Sequence, residues 1–152
     1  MTDPITFTSV TPRYHLPMLF SGQSQKELTV NESLLAADIL MHPLVQGALS
    51  VPPAAPVAGQ CWIVGESATD AFSGKENAIA AWTENGWRFF SPARGMRVYD
   101  QNSQSYRLFS DAWMICVAPA TPSGGTVVDI QARSAITAIV SLLTETGIFS
   151  PG

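Results

Sequence analysis

Trp82 and Trp87 flank Thr83-Glu84-Asn85-Gly86, and Asn-Gly between two apolar runs is the strongest short-range signal for a β-hairpin. The pattern recurs. Trp82-x4-Trp87-Arg-Phe-Phe-Ser-Pro92 is echoed by Tyr106-Arg-Leu-Phe-Ser-Asp-Ala-Trp113-Met-Ile-Cys-Val-Ala-Pro119. A repeated unit of strand, turn, Trp, strand and Pro predicts an antiparallel β-meander of about six short strands over residues 59–118. The strands are expected at 60–64, 78–83, 87–90, 96–100, 105–109 and 113–117, with residues 65–74 forming a polar loop that turns outward.

Helical patterns lie on either side of the meander. Ser24-Gln-Lys-Glu27 reads as a capping box, Ser24 accepting from a first-turn amide while Glu27 reaches back to the cap. The helix this opens, over 24–42, places Leu28, Leu35 and Ile39 on one face, with Leu34 and Ala36 beside them, and Pro43 and Gly47 end it. Val51-Pro-Pro-Ala-Ala-Pro-Val-Ala58 is a stiff, uncharged connector. After a second linker at 119–125, Asp129 is a good N-cap for a helix over 129–146, in which Ala132, Ile136, Ile139, Val140 and Leu143 recur at three- and four-residue steps. Gly147 is its expected left-handed terminator, with Ile148 placed for the apolar contact that accompanies such caps. Residues 1–20, interrupted by Pro4, Pro12 and Pro17, read as an extended arm too apolar to be a solvated tail. The expected fold class is therefore α+β, a single domain over 21–152 in which a meander is flanked by two amphipathic helices and preceded by an extended arm.

At 152 residues the chain is one domain's worth of material, enough to bury roughly two-thirds of its unfolded surface. Charged residues make up only 13% and hydrophobic ones 46%, so much of the surface is neutral, a composition that favours a subunit of an assembly. Net charge is −4, and no two of the eight Lys and Arg are adjacent. Phosphate backbones are bound by clustered cations, so nucleic acid is not an expected partner. The first residues show neither a basic start nor an apolar run, and no apolar stretch approaches the roughly 18 residues of a membrane span. The expectation is synthesis in a reducing cytoplasm without a signal peptide or membrane insertion. Cys61 and Cys116, both in apolar strand-like runs, are expected to be two buried free thiols, the alternative being a disulfide that staples the ends of the meander.

Motifs that carry chemistry are absent from the sequence. His15 and His42 have no carboxylate or Cys at metal-ligand spacing, and there is no nucleophile elbow, Walker loop or dinucleotide fingerprint. No cofactor and no enzymatic activity are expected. Asp100 and Asp111 bracket the second hairpin as a possible acid and base pair for glycan cleavage, yet both occupy turn positions where Asp bonds its own backbone. Trp82, Trp87 and Tyr106 are candidate stacking residues for a sugar ring; equally, they are core aromatics of a small meander, with Tyr99 and Trp113 sharing the ambiguity. The arm residues Phe7, Tyr14 and Phe20, with the polar group Gln23, Gln25, Lys26, Asn31 and Glu32, are candidate subunit-interface positions. The polar group has two readings, a solvated helix start or a hydrogen-bonded joint between subunits or to the arm.

Leu16-Pro-Met-Leu-Phe-Ser-Gly-Gln-Ser-Gln-Lys-Glu-Leu-Thr-Val-Asn-Glu32 resembles the opening signature of domain-of-unknown-function family 2793, found in alphaproteobacterial phages, prophages and gene transfer agents. The similarity continues in Pro52-Pro-Ala-Ala-Pro-Val-Ala-Gly-Gln-Cys-Trp-Ile-Val64, Ile79-Ala-Ala-Trp82, Gly86-Trp-Arg-Phe89, Pro92-Ala-Arg-Gly-Met96 and Gly124-Gly-Thr-Val-Val-Asp-Ile-Gln-Ala-Arg133. The resemblance implies a non-enzymatic virion protein, the base or adaptor of a head spike or tail fibre. Its expected partners are further copies of itself, as a trimer or pentamer, and other virion proteins of the capsid, spike or fibre. A host-attachment role, as a module binding host surface glycans through exposed aromatics, is the alternative.

Overall fold

The structure is a computed structural model and describes residues 9–19, 22, 26–126 and 128–151. In chain order it comprises helix α1 (Lys26–Leu40), strands β1 (Leu44–Val45), β2 (Ala48–Leu49) and β3 (Cys61–Val64), and a 3-10 turn (Asp70–Phe72). There follow β4 (Ile79–Thr83), β5 (Gly86–Phe90), β6 (Arg97–Asp100), β7 (Ser105–Phe109), β8 (Trp113–Ile115) and helix α2 (Ile130–Glu145). The fold is α+β, as the sequence predicts.

The strands do not run as one meander. They form two four-stranded sheets, ordered β2-β3-β4-β5 and β1-β6-β7-β8. The break falls between β5 and β6, where Pro92 has no amide to donate, Met96 N donates to Ala93 O at 2.9 Å and Gly95 takes φ +88°. What ties the sheets together is a segment the sequence pattern did not mark as strand. Leu44–Val45 pairs in parallel with β6, and two residues later Ala48–Leu49 pairs in parallel with β3. Gly47, at φ +148°, makes the turn between them, and a Cβ there would sit 3.4 Å from Asn102 Cβ. Strands of two residues carry no readable alternation, which is why this link is invisible to periodicity.

The hairpin signal is correct in register and different in turn. Trp82 is opposite Trp87 and Thr83 opposite Gly86, leaving Glu84 and Asn85 as the loop. Gly86 itself takes φ +95°, so the glycine serves as a left-handed residue following the turn rather than as part of an Asn-Gly pair with both residues at positive φ. The Thr83 hydroxyl locks this loop, donating to Gly86 O at 2.8 Å and accepting from Asn85 N at 3.3 Å.

All four residues of β3 are buried, and successive side chains serve opposite faces. Cys61 and Ile63 join Ile39, Val45, Ile79, Ala81 and Val98 in one cluster. Val64 joins Phe72, Ala78 and Ala80 in the other, against Trp87 and Phe89. Phe72 corrects the expectation of an outward loop at 65–74, because the 3-10 turn drives its fully buried ring inward to cap the second face. The face predicted for α1 also needs correction at its start. Leu35 and Ile39 are buried with Asp38 between them, while Leu28, in the first turn, is 70% exposed. Ser24, and with it the capping box, lies outside the described residues.

Candidate functional site

Asp38 is the organising polar residue of the amino-terminal half. Its carboxylate is fully buried and accepts from Thr11 Oγ1 at 2.6 Å, Tyr14 N at 2.6 Å and Arg13 N at 3.0 Å. The Arg13 side chain completes the buckle by donating to the end of α1, at Ile39 O (2.8 Å) and His42 O (2.6 Å), where unsatisfied carbonyls carry partial negative charge. Residues 9–19 therefore form a small hairpin, with Val10 bridged to Pro17 and Thr11 N donating to Leu16 O, rather than an extended arm. Asn31, two turns earlier on α1, binds both backbone groups of Leu19, accepting from its N–H at 2.9 Å and donating to its C=O at 3.0 Å. Sequence reasoning did not single out Arg13 or Asp38; the available signal was a carboxylate in the apolar run Leu35-Ala-Ala-Asp38-Ile39.

Among the interface candidates, Phe7, Phe20, Gln23 and Gln25 lie outside the described residues. Tyr14 and Lys26 are exposed. Asn31 is engaged with Leu19, and Glu32 with Arg88 of β5 in a two-pronged pair, Nη2 to Oε1 at 2.7 Å and Nε to Oε2 at 2.9 Å. Those contacts hold the Glu32 carboxyl below its ordinary value of 4.5, the Arg88 hydrogen bond being the largest cause. Of the two readings of the polar group, Asn31 thus joins the helix to the arm, and Glu32 joins it to the sheet.

The three stacking candidates are not brought together. Trp82 and Trp87 are cross-strand neighbours on the first sheet, but their rings meet edge to face, 5.0 Å apart at 67°, so no coplanar platform forms. Trp87 also meets Trp62 and Phe72 edge to face, which places it in a half-buried aromatic layer. Tyr106 belongs to the second sheet, where it packs edge to face on Tyr99 and stays 44% exposed. Asp100 and Asp111 are separated as well. Asp100 is fully buried at the start of the β6–β7 turn, accepting from Arg107 Nε at 2.6 Å, whereas Asp111 is exposed beyond the far end of β7. The five residues of β7 that separate their ends span about 17 Å, against the roughly 5–10 Å that glycosidic acid and base pairs require.

The cysteines differ from expectation in one respect. Both are free, but only Cys61 is buried; Cys116, just beyond β8, is exposed. Burial pushes the Cys61 thiol up to about 11. Among the described residues no group of three or more His, Cys, Asp and Glu is placed to hold a metal ion, and no helix is long and apolar enough to cross a membrane.

Helix α2 is the least covered element. Asp129 caps it as expected, accepting from Ala132 N at 2.9 Å. At its end Gly147, at φ +73°, donates to Thr144 O while Ile148 N donates to Leu143 O, the paired bonds of a Schellman cap. The chain then docks on the second sheet: Tyr106 N donates to Gly147 O at 2.7 Å, and Ser150 N to Cys116 O at 2.9 Å. Yet no residue of α2 is buried, and Ile139 and Leu142 remain 57% and 59% exposed. Of the predicted apolar stripe, Val140 and Leu143 are half-buried against the domain, while Ile136 and Ile139 stay exposed and are joined by Leu142 in an uncovered apolar face.

Fold and site together define a small α+β scaffold, two sheets clasped by one strand segment and a buckled hairpin, carrying an uncovered apolar helix. The chain belongs to the family described as Protein of unknown function (DUF2793), which matches residues 30–114. That stretch contains both sheets but for Ile115, and most of α1, and leaves the 9–19 hairpin and α2 outside it. No curated protein matches the chain.

Proposed function

We propose that this chain is a non-enzymatic structural protein of a phage or gene-transfer-agent particle, the base or adaptor of a head spike or tail fibre. It works by homo-oligomerisation and by docking to other virion proteins. The observation that carries the self-association is α2. A helix with a stripe of Ile136, Ile139 and Leu142 and no buried residue leaves apolar surface in water, and covering each of those side chains contributes about 1 kcal/mol or more. Its two charged residues, Arg133 and Glu145, lie near opposite ends, so the middle of the stripe offers a second copy an uncharged surface. The virion setting is drawn from the resemblance of residues 16–32 and the family to which the chain belongs.

Light scattering after size exclusion, across a range of concentrations, tests the self-association. A stable closed oligomer such as a trimer or pentamer is the expected result, and a monomer at high concentration refutes it. Mass spectrometry of purified particles from a strain carrying the gene tests the location, which is refuted if the chain is absent from them.

A further inference from the structure

The outer face of the second sheet carries a feature that self-association does not use. Alternation along β6 places Arg97 and Tyr99 on the face opposite buried Val98 and Asp100, and register sets Tyr106 beside Tyr99 and Leu108 beside Arg97. Between this face and the Tyr14 and His42 side of the buckled hairpin lies a cleft of about 350 Å³, and a second recess of about 150 Å³ continues past Leu108 towards Ile148. Arg97 and Tyr106 line both.

Arg97 is the arginine without an acceptor among the described residues. Arg13 and Arg133 donate to backbone carbonyls, Arg88 and Arg107 to carboxylates, and Arg94 lies 4.0 Å from Asp111. No carboxylate lines either recess, although the whole chain carries a net charge of −4. The guanidinium is therefore an unspent, planar donor fork of the kind that matches a carboxylate. Tyr106 is held beside it. Tyr99 meets it edge to face at 5.3 Å and 77°, and the chain returning from α2 packs so closely that a Cβ at Gly147 would lie 3.0 Å from the Tyr99 ring.

We propose that this cleft binds an acidic saccharide, with a uronate-type sugar stacked by its apolar face on Tyr106 and its carboxylate held by Arg97. The volume is at the low end of small-ligand pockets, the scale of one or two sugar rings rather than a folded partner. An acidic peptide fits less well. β7 lies between β6 and β8, and β1 covers β6 at Tyr99 and Asp100, so no open strand edge runs beside Tyr106 for strand addition, and recognition comes from the ring and the fork. None of Ile136, Ile139 and Leu142 lines either recess, so the proposal does not rest on self-association through α2.

Calorimetry and saturation-transfer NMR on the full chain with trigalacturonate, a neutral galactose trimer and hexaglutamate test it. Saturable trigalacturonate binding is expected, at least tenfold tighter than the neutral trimer, weakened at least tenfold by Arg97→Gln and lost in Tyr106→Ala. Both variants should keep the native mass and circular dichroism of the parent chain, because both side chains point outward. Absence of saturable binding up to millimolar trigalacturonate overturns the proposal, as does binding that Arg97→Gln leaves intact. Hexaglutamate binding as tightly as the saccharide would also overturn it, by making the cleft a site for acidic peptides.

Discussion

Removing the Asp38 carboxylate should loosen the amino-terminal hairpin from α1 by a calculable amount. In Asp38→Ala the Thr11 hydroxyl, fully buried, loses a 2.6 Å charge-assisted bond, worth about 2 kcal/mol. The Arg13 and Tyr14 amides are partly buried, so water can replace some of what they lose, and about 1 kcal/mol each is appropriate. The sum is about 4 kcal/mol, a large share of the roughly 5–15 kcal/mol that stabilises an ordinary domain. At about 2–4 °C per kcal/mol for a chain of this size, Tm should fall by about 8–16 °C. Asp38→Asn keeps an oxygen for Thr11 and Tyr14 but turns an NH2 towards the Arg13 amide, so it should cost about half as much. Thermal melts followed by circular dichroism give the shift, and hydrogen exchange at the Thr11 and Met18 amides, which bond Leu16 and Ser9 across the hairpin, reports its release. An Asp38→Ala chain that melts within about 2 °C of the parent with those amides still protected refutes the reasoning.

Ile139→Glu with Leu142→Glu should lower the native mass of the assembly while shifting the Tm of the isolated subunit by less than about 2 °C, since neither side chain is buried within its own domain; light scattering and melts at low concentration check it. The Glu32–Arg88 pair involves a carboxyl whose folded value is depressed, so its contribution is present above the unfolded carboxyl value near 4.5 and lost as pH falls through the lower, folded one. Both partners are about a third exposed, so Glu32→Gln should cost only about 0.5–1 kcal/mol at pH 7, and the difference from the parent should shrink progressively as urea melts are run below the unfolded carboxyl value of 4.5. Under native conditions at pH 8, a disulfide exchange reagent should titrate one thiol per chain, Cys116, while Cys61 reacts only after denaturation; mass mapping of the labelled cysteine decides it.

The parts of this fold that the sequence makes legible are those governed by local rules. The register of Trp82 against Trp87 follows from strand alternation on either side of a short loop, and the α2 boundaries follow from an Asp that caps one end and a Gly that tolerates positive φ at the other. The apolar stripe of α2 was likewise readable, because it is a property of helix period alone. The candidate site was less legible. Arg13 and Asp38 are separated by 25 residues, and Tyr14 and Tyr106 by far more, and no spacing rule relates residues that meet only after the chain has folded back.

Sequence alone therefore determined the two helices, the hairpins and the low-charge surface, each set by neighbours within a few residues or by bulk composition. Tertiary structure decided the division into two sheets, since a two-residue strand has no pattern of its own and forms only where β3 and β6 present an open edge. It decided that Phe72 is core, that Cys116 is surface and that Leu28 is bare, because burial depends on what else reaches that place. It also decided that α2 is held mainly at its carboxy-terminal end, where Leu143 is half-buried and the chain after Gly147 meets Tyr106 and Cys116, and that Ile136, Ile139 and Leu142 stay bare. A helix pattern states that a face is apolar; only the packed molecule shows whether anything covers it.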